Sequence, residues 1–366
     1  MGFDISEYRA QFPVAEQLLY LNHAAVAPLS RRASEAMKWL ADDSCLWGSL
    51  HYDKWMDAYE GLRVSTARLI GAHRDEIAHV KNTSEGIATI AMGISWKHGD
   101  RVVVFREEFP ANQYPWQKLA AKGVELIWLD ATDPLEKIEA AAKGARLLAI
   151  SFVQYLTGWK ADLQAIGEVC HRHGVFFFVD AIQGLGAFPL NVDECHIDAL
   201  AADGHKWMLG PEGMGILYVR RDRQDQVEPV EFGWTNVAAY VDYSSRDMSL
   251  RKDAGRYEPG TLNTIGCFGL RAAIDLLLEV GVDQIAPRVR ALAVKIEQGV
   301  RAKGFEVLGQ PGAGIVSFKN PAEDARLTVK KLKDANIIAA NRQGWIRASP
   351  HFYIQPDEID RLLAEL

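Results

Sequence analysis

This chain of 366 residues lacks several features that mark common protein classes. Its four cysteines, at positions 45, 170, 195 and 267, are scattered without the spacing of a metal or redox motif, so neither a disulfide framework nor a metal site is predicted. No apolar run approaches the roughly 20 residues that a membrane-spanning helix needs. The N-terminus shows no charged segment followed by an apolar one, so no export signal is expected. These absences favour a cytoplasmic protein with reduced thiols and no membrane partner.

Charge and loop motifs disfavour two further classes. The chain has 41 basic and 48 acidic side chains, a formal net charge of −7, and no basic patch that would indicate a nucleic-acid partner. No Gly-x-Gly-x-x-Gly follows a predicted strand, and no loop ending in Gly-Lys-Ser/Thr is present, which argues against a nucleotide-dependent enzyme. The hydrophobic share of 48% is ordinary for a globular protein, and the length allows two or three domains.

The most informative stretch spans residues 175–215. An apolar strand at 175–179 ends on Asp180, and a second apolar run at 197–202 leads into Asp203-Gly204-His205-Lys206. Open α/β sheets place their ligand chemistry at the carboxyl ends of such strands. A lysine amine can bind an aldehyde covalently, and a carboxylate can keep a pyridine nitrogen protonated. Asp180 and Lys206 therefore suit pyridoxal 5′-phosphate.

A second polar cluster, Asn82-Thr83-Ser84, precedes a predicted helix of small and apolar residues at 87–94. The free N–H groups and the positive dipole end of such a helix form a natural phosphate seat, and the two hydroxyls add donors. The residues alone are equally consistent with a plain helix cap.

Strands alternate with helices through the first two thirds of the chain, which predicts an α/β fold with a mostly parallel sheet and helices on both faces. Helices at 264–280 and 284–303 then lead into a smaller α/β domain with strands at 305–308, 315–318 and 337–340. We expect residues 21–263 to form a large domain. Residues 1–20, an N-terminal arm, and 264–366 would form the small one.

The order of these motifs resembles the class V aminotransferase group of fold-type I pyridoxal-phosphate enzymes. This group includes cysteine desulfurases, selenocysteine lyases and isopenicillin-N epimerase-like proteins. The matching elements are strand–Asp180-Ala-Ile-Gln183, strand–Asp203-Gly-His-Lys206, and the glycine-rich turn that follows. The resemblance extends over nearly the whole chain and implies the fold-type I architecture, the cofactor and a homodimer.

The resemblance implies roles for the cofactor-binding residues. Thr83 and Ser84 would bind the phosphate, Lys206 would hold the cofactor and move the Cα proton, and Gln183 would contact the phenolic oxygen. His205 would contact phosphate or ring. Relatives carry an asparagine where this chain has Gln154 and Tyr155, and a serine where it has Asp203.

A ring that stacks on the cofactor is expected between residues 107 and 116. Aligning Ala111-Asn112 with the desulfurases puts Pro110 where they carry histidine, whereas a Phe-Pro-x-Asn pattern makes Phe109 the stacking residue. Phe109 is preferred because proline offers no π face.

The resemblance also implies substrate contacts and a shared site. His23 and Ala24 lie in the entry loop that lines the substrate side. Arg347, with Arg342 as the alternative, would hold the substrate carboxylate bidentately. Thr261, in Glu258-Pro-Gly-Thr261-Leu-Asn, would reach the phosphate of the neighbouring subunit.

The linker at 341–344 contains no cysteine, so the persulfide nucleophile of the desulfurases is missing. We therefore expect an enzyme that acts on a small α-amino acid, with transamination as the preferred reaction. A C–S or C–Se lyase without a persulfide and an epimerase remain alternatives. A pyridoxal-phosphate-binding regulator without turnover is less favoured.

Overall fold

The computed structural model of the chain describes residues 5–366, so the first four residues of the predicted N-terminal arm lie outside it. The described residues form the strands β1 Leu19–Tyr20, β2 Ile77–Val80, β3 Arg101–Phe105, β4 Glu125–Leu129, β5 Leu147–Ser151, β6 Phe176–Asp180, β7 Ala199–Asp203, β8 Gly215–Val219, β9 Glu306–Val307, β10 Val316–Lys319, β11 Ile337–Ile338, β12 Ala340–Arg342 and β13 Trp345–Ala348.

The same residues form the α-helices α1 Ile5–Arg9, α2 Val14–Gln17, α3 Arg31–Trp47, α4 Tyr52–Ile70, α5 Thr83–Gly93, α6 Tyr114–Lys118, α7 Leu135–Ala142, α8 Leu163–His173, α9 Thr264–Val280, α10 Val282–Ala302, α11 Ala325–Asp334 and α12 Pro356–Glu365. Among the described residues, no helix combines the length and the apolar character needed to cross a membrane.

A seven-stranded sheet organises the molecule, in the order β2-β8-β7-β6-β5-β3-β4. The pairs from β7 to β4 are parallel, whereas β8 runs antiparallel to both of its neighbours. The predicted mostly parallel sheet is confirmed. All parallel strands therefore present their carboxyl ends at one edge, where β5, β6 and β7 end on Ser151, Asp180 and Asp203.

The central strands are buried on both faces, as their uninterrupted apolar sequences require. Phe176 and Phe178 pack into one apolar cluster, and Phe177 and Val179 pack into another on the opposite face. Helices α5 and α6 contribute to the first cluster, and α8, α9 and α10 contribute to the second. Alternation of side chains along an extended strand produces this two-sided core.

A four-stranded antiparallel sheet in the order β12-β13-β10-β9 forms the second sheet. The short strands β1 and β11 pair in parallel, which joins the N-terminal region to the C-terminal one. Helix α9 packs against α3 and α4. The predicted boundary between residues 263 and 264 stays a prediction.

Several elements differ from the sequence prediction. The helix predicted at 87–94 begins earlier, at Thr83, and ends at Gly93. The predicted strand at 337–340 is divided between β11 and β12, which belong to different sheets. The edge strand β2 was not predicted, because its four residues give too short an apolar run.

Candidate active site

A cavity of about 620 Å³ lies at the carboxyl edge of the large sheet, between that edge and the second sheet. Nine of the predicted site residues line it: Ala24, Thr83, Ser84, Phe109, Asp180, Gln183, His205, Lys206 and Arg347. Another groove, of about 810 Å³, is more open and contains none of the predicted residues. The chemistry expected from the sequence therefore converges on the first cavity.

Asp180 and Lys206 meet because β6 and β7 are neighbouring parallel strands that pair Asp180 with Ala201. Burial raises the pKa of Asp180 to about 6, against the opposing charge of Lys206 and a hydrogen bond from the backbone N–H of Ile182 at 3.1 Å. Burial also lowers the pKa of Lys206 to about 8, although Asp180 favours its charged form. A desolvated amine that loses its proton near neutral pH is what covalent amine chemistry needs.

The aromatic wall of the cavity consists of Phe109 and Tyr155. Lys206 Nζ lies 5.8 Å from the centre of the Phe109 ring, and the two rings meet edge to face with centroids 5.3 Å apart. Phe109 is half exposed, so one face of its ring remains free, and Pro110 lines the cavity beside it. Stacking of Phe109 on a cofactor ring stays a prediction that this position allows.

The N-terminus of α5 forms the polar end of the cavity. The Asn82 side chain caps the helix by accepting a hydrogen bond from the N–H of Glu85 at 3.0 Å. Thr83 Oγ1 accepts a hydrogen bond from the backbone N–H of Asp203 at 2.9 Å, so its own hydroxyl proton remains available to a ligand. A Cβ at Gly86 would lie 2.6 Å from the Cβ of Ala201, so glycine lets the helix sit close against β7. These donors and the helix dipole fit a phosphate group.

Asp203 and His205 form a pair beside this helix end. Asp203 Oδ2 lies 3.0 Å from His205 Nδ1, whereas Asp203 Oδ1 is buried without a hydrogen-bond partner. His205 Nδ1 has no hydrogen-bond partner either, so the two side chains lie in contact without a hydrogen bond between them. A direct contact between Asp203 and a phosphate would bring two negative charges together.

Arg347 lies on β13 with only 2% of its surface exposed. Its Nη1 donates a hydrogen bond to the carbonyl of Tyr155 at 2.7 Å, and its Nε has no hydrogen-bond partner. Burial and the charge of Arg342 lower its pKa to about 10. A buried guanidinium N–H without a partner, at the wall of a cavity, fits an anionic ligand.

The glutamines are engaged within the protein. Gln183 lines the cavity, but its Nε2 donates to the carbonyl of Ala24 at 3.0 Å and its Oε1 accepts from Trp207 Nε1 at 2.9 Å. Gln154 lies outside the cavity lining and holds a turn by accepting from the N–H of Leu156 at 2.8 Å. Of the two residues that replace the family's asparagine, Tyr155 is therefore the one that faces the cavity.

Two predicted residues lie elsewhere. His23 is fully buried, with Nδ1 2.8 Å from the carbonyl of Ser349 and Nε2 2.8 Å from Tyr353 Oη, so both ring nitrogens are occupied away from the cavity. Thr261 lines a separate pocket of about 160 Å³. The fold of one chain does not bring Thr261 to Lys206.

Glu108 is a buried carboxyl behind the cavity wall that the sequence reasoning missed. It is buried behind Ser151, whose backbone N–H donates to Glu108 Oε1 at 2.6 Å and whose hydroxyl donates to the other carboxylate oxygen. Burial, together with the nearby charge of Asp180, raises its pKa to about 7. The available signal was its place shortly after β3, at the same sheet edge as Asp180.

None of the four cysteines, all of which lie in the described residues, lines the cavity. Cys170 and Cys267 are buried in the apolar core, and Cys195 lines the larger groove. Cys45 is exposed on α3. The site therefore has no thiol to accept sulfur.

The fold and the cavity define a fold-type I enzyme of the pyridoxal-phosphate class. A family model described as Aminotransferase class-V matches residues 19–362, and the chain belongs to this family. Family membership confirms the predicted cofactor, pyridoxal 5′-phosphate. The donors at α5, the buried Asp180 and the neighbouring Lys206 fit this group.

Relatives of the chain carry different names. It is 30% identical to an uncharacterized aminotransferase, YcbU, of Bacillus subtilis, over 98% of this chain and 96% of that one. It is 29% identical to a probable cysteine desulfurase of Pyrococcus abyssi, with the same coverage of both chains.

Solved structures show the same fold. The apo cysteine desulfurase from Thermococcus onnurineus NA1 superposes with a TM-score of 0.90 at 28% identity, covering 100% of this chain and 97% of that one. A variant of C-DES with glycine covalently linked to its PLP cofactor gives a TM-score of 0.91 at 25% identity, covering 97% and 98%. C-DES is also described as a cystine C–S lyase in complex with its product, cysteine persulfide.

Proposed function

We propose that this protein is a pyridoxal-phosphate-dependent enzyme that transaminates a small α-amino acid. One observation carries the proposal: Lys206, Asp180 and Arg347 line a single cavity, and a buried N–H of Arg347 has no partner there. The three side chains supply a base, a counter-charge and a carboxylate anchor. The family supports the cofactor, and the local chemistry supports the substrate class.

The cofactor, when bound, supplies an electron-accepting pyridine ring that stabilises negative charge at the substrate Cα. Asp180 would keep the ring nitrogen protonated, because a buried carboxylate beside a cation favours the charged pair. Lys206, released when the substrate amine replaces it, would take the Cα proton. Its pKa of about 8 means that a useful fraction of the amine is neutral near neutral pH.

Arg347 would orient the substrate. Its guanidinium is held by the Tyr155 carbonyl and can form a charge-assisted hydrogen bond with the α-carboxylate through its free Nε. The rings of Phe109 and Tyr155, which meet edge to face, form the aromatic wall of the same cavity. Transamination needs no further nucleophile, which agrees with the lack of a thiol in the cavity lining.

A C–S lyase is the second candidate, and the similarity to the cystine C–S lyase C-DES favours it. Such a reaction removes the same Cα proton but expels a sulfur leaving group from Cβ. Tyr155 lies in the cavity wall, and burial raises the pKa of its hydroxyl, so this group stays protonated and can donate a hydrogen bond to departing sulfur.

Single-turnover spectroscopy of the purified protein separates the two reactions. Transamination leaves the cofactor in its amine form, releases a keto acid, and is reversed by adding a keto acid. The proposal of transamination fails if no amino acid produces that conversion. If a sulfur-bearing amino acid is instead cleaved, either to ammonia and pyruvate or to alanine, the C–S lyase is the function. Alkylation during turnover should find no persulfide on any of the four cysteines.

Variants test the residue roles in the same assay. Borohydride reduction followed by peptide mapping should place the pyridoxyl group on Lys206, and Lys206→Ala should abolish the label. Lys160→Ala is the control, since Lys160 is a partly buried lysine whose pKa burial also lowers, but it lines the other groove.

Arg347→Gln should lower kcat/KM by about 30-fold to a few thousand-fold, which corresponds to about 2–5 kcal/mol for a buried charge left unpaired. Cofactor affinity should change much less.

A further inference from the structure

A second arginine, Arg342, lines the same cavity as Arg347. Its side chain is exposed, forms no ion pair with any described residue, and makes only a 3.4 Å hydrogen bond to the carbonyl of its neighbour Asn341. Its positive charge lowers the pKa of Arg347 and contributes to lowering that of Lys206. Arg342 is therefore a free cation close to the groups that would handle the substrate.

The hairpin of β12 and β13 fixes the direction of both arginines. Arg342 pairs with Trp345, and Ala340 pairs with Arg347. Residues that pair, and residues two apart on one strand, point to the same face, so both arginines project from one face of the hairpin. Diagonal neighbours of this kind lie about 7–8 Å apart at their backbones, which lets two flexible guanidinium groups approach two ends of one small ligand.

The turn of this hairpin is fastened to the cavity wall. Gln343 and Gly344 have φ angles of 53° and 82°, the left-handed values that a tight two-residue hairpin turn requires. Gln343 Nε2 donates a hydrogen bond to Tyr155 Oη at 2.7 Å. This contact holds the turn, and with it the end of β12, over the substrate side of the cavity.

The acidic groups of the cavity leave Arg342 without a counter-charge. Asp180 lies beside Lys206, and Asp203 pairs with His205 at 3.0 Å, next to the N-terminus of α5. Arg347 is the anchor for the α-carboxylate in the proposed function. A substrate with one carboxylate therefore leaves one guanidinium of the pair unused.

We propose that Arg342 binds a second carboxylate, on the side chain of the substrate, so that the enzyme prefers dicarboxylic α-amino acids. This inference rests on the proposed function and names its substrate class. The α-carboxylate lies against buried Arg347, and the side-chain carboxylate, one or two methylene groups beyond Cα, reaches the exposed Arg342.

Isosteric substrate pairs test this specificity. With the holoenzyme, kcat/KM for aspartate and glutamate should exceed that for asparagine and glutamine, which have nearly the same shape but an uncharged amide in place of the side-chain carboxylate. Arg342→Gln should lower this ratio by about tenfold to a hundredfold, the effect of losing a charge-assisted hydrogen bond. Arg342→Lys should restore part of it. Arg68→Gln is the matched control, because Arg68 is an exposed arginine that lines the other groove.

A binding measurement separates this inference from the reaction itself. Calorimetry should show that glutarate binds the holoenzyme more tightly than butyrate, and that Arg342→Gln removes the difference. Equal ratios in wild type and Arg342→Gln would overturn the inference while transamination stands. A loss of cofactor affinity in Arg342→Gln as large as the loss of glutarate affinity would also overturn it, since Arg342 would then face the phosphate. If no amino acid is transaminated, the proposed function fails, and the glutarate measurement still decides the role of Arg342.

Discussion

Burial of single carboxyl groups sets the charge balance behind the candidate site. Asp180 and Glu108 both lie at the carboxyl edge of the large sheet, and burial raises their pKa values to about 6 and about 7. Ser151 connects them: it pairs with Asp180 across β5 and β6 and donates two hydrogen bonds to Glu108. A proton on Glu108 reduces the repulsion that Asp180 would otherwise meet. In the proposed function, Asp180 is the carboxyl that would be ionised to hold the cofactor ring.

Replacing Glu108 by glutamine should remove a pH dependence of stability. The pKa of Glu108 in the folded protein lies above its ordinary value of 4.5, so the protonated carboxyl stabilises the fold. This stabilisation is fully present below about pH 4.5 and is lost as the pH rises through 7. Between pH 5 and 8 the free energy of unfolding of the wild type should therefore fall relative to Glu108→Gln, by on the order of 3 kcal/mol. Urea denaturation of both proteins in the same cofactor state measures this. A difference that stays constant with pH would contradict the assignment.

At the scale of the element, one buried ion pair anchors the loop that contains Thr261. Glu258 Oε2 lies 2.5 Å from Arg63 Nη2 on α4, and Oε1 accepts the backbone N–H of His79 on β2 at 2.7 Å. Burial would raise the pKa of Glu258, but Arg63 and His79 outweigh it and hold the pKa well below its usual range. One carboxylate thereby connects a helix, an edge strand and the loop before α9.

Glu258→Gln should destabilise the protein by about 3 kcal/mol, because buried Arg63 then keeps only the more exposed Glu60, at 3.2 Å, as a counter-charge. The matched control is Glu297→Gln, which breaks the Glu297–Arg301 pair on the surface of α10 and should cost about 0.5 kcal/mol or less. Denaturant midpoints of the two variants provide the comparison. Similar midpoints would show that the buried pair has no special role.

At the scale of the whole molecule, the positions of two predicted site residues suggest assembly. Thr261 and Lys206 line different cavities of one chain. The segment 232–248, which follows β8 in the chain, exposes several large apolar side chains. The residue just before this segment, Glu231, lines the same pocket as Thr261. The exposed apolar side chains are Phe232, Trp234, Val241, Tyr243 and Met248. Exposed apolar clusters of this kind are typical of surfaces that meet a partner, so a second copy of the chain remains our proposal.

A homodimer with shared sites makes a specific prediction for mixed subunits. Lys206→Ala and Thr261→Asp proteins should each be inactive, the second because an aspartate repels the phosphate. Refolded together at equal amounts, they should recover about a quarter of the wild-type activity, since each hybrid dimer has one intact site. Light scattering should give twice the chain mass. No recovery on mixing, or a monomer that retains cofactor, would contradict the shared site.

The sequence by itself determined the class of fold and most of the site. Apolar runs that end on Asp180 and just before Lys206 predicted two neighbouring strands, and their shared edge is where the structure places both residues. Nearby residues in the chain also determine where helices begin and end. The Asp162 side chain caps the N-terminus of α8, and α9 has the bounds that the sequence predicted, 264–280. Local rules suffice there because the apolar period and the caps depend only on neighbours in the chain.

Only the tertiary structure decided which side chains are free to act. Both ring nitrogens of His23 have partners far away in sequence, whereas Gln183 has one such partner at each polar atom and still lines the cavity. Glu108 gained its role from Ser151, and Arg342 gained its direction from the register of β12 on β13. Hydrogen-bond satisfaction and strand register arise between distant segments. A pattern along one stretch of chain cannot specify them.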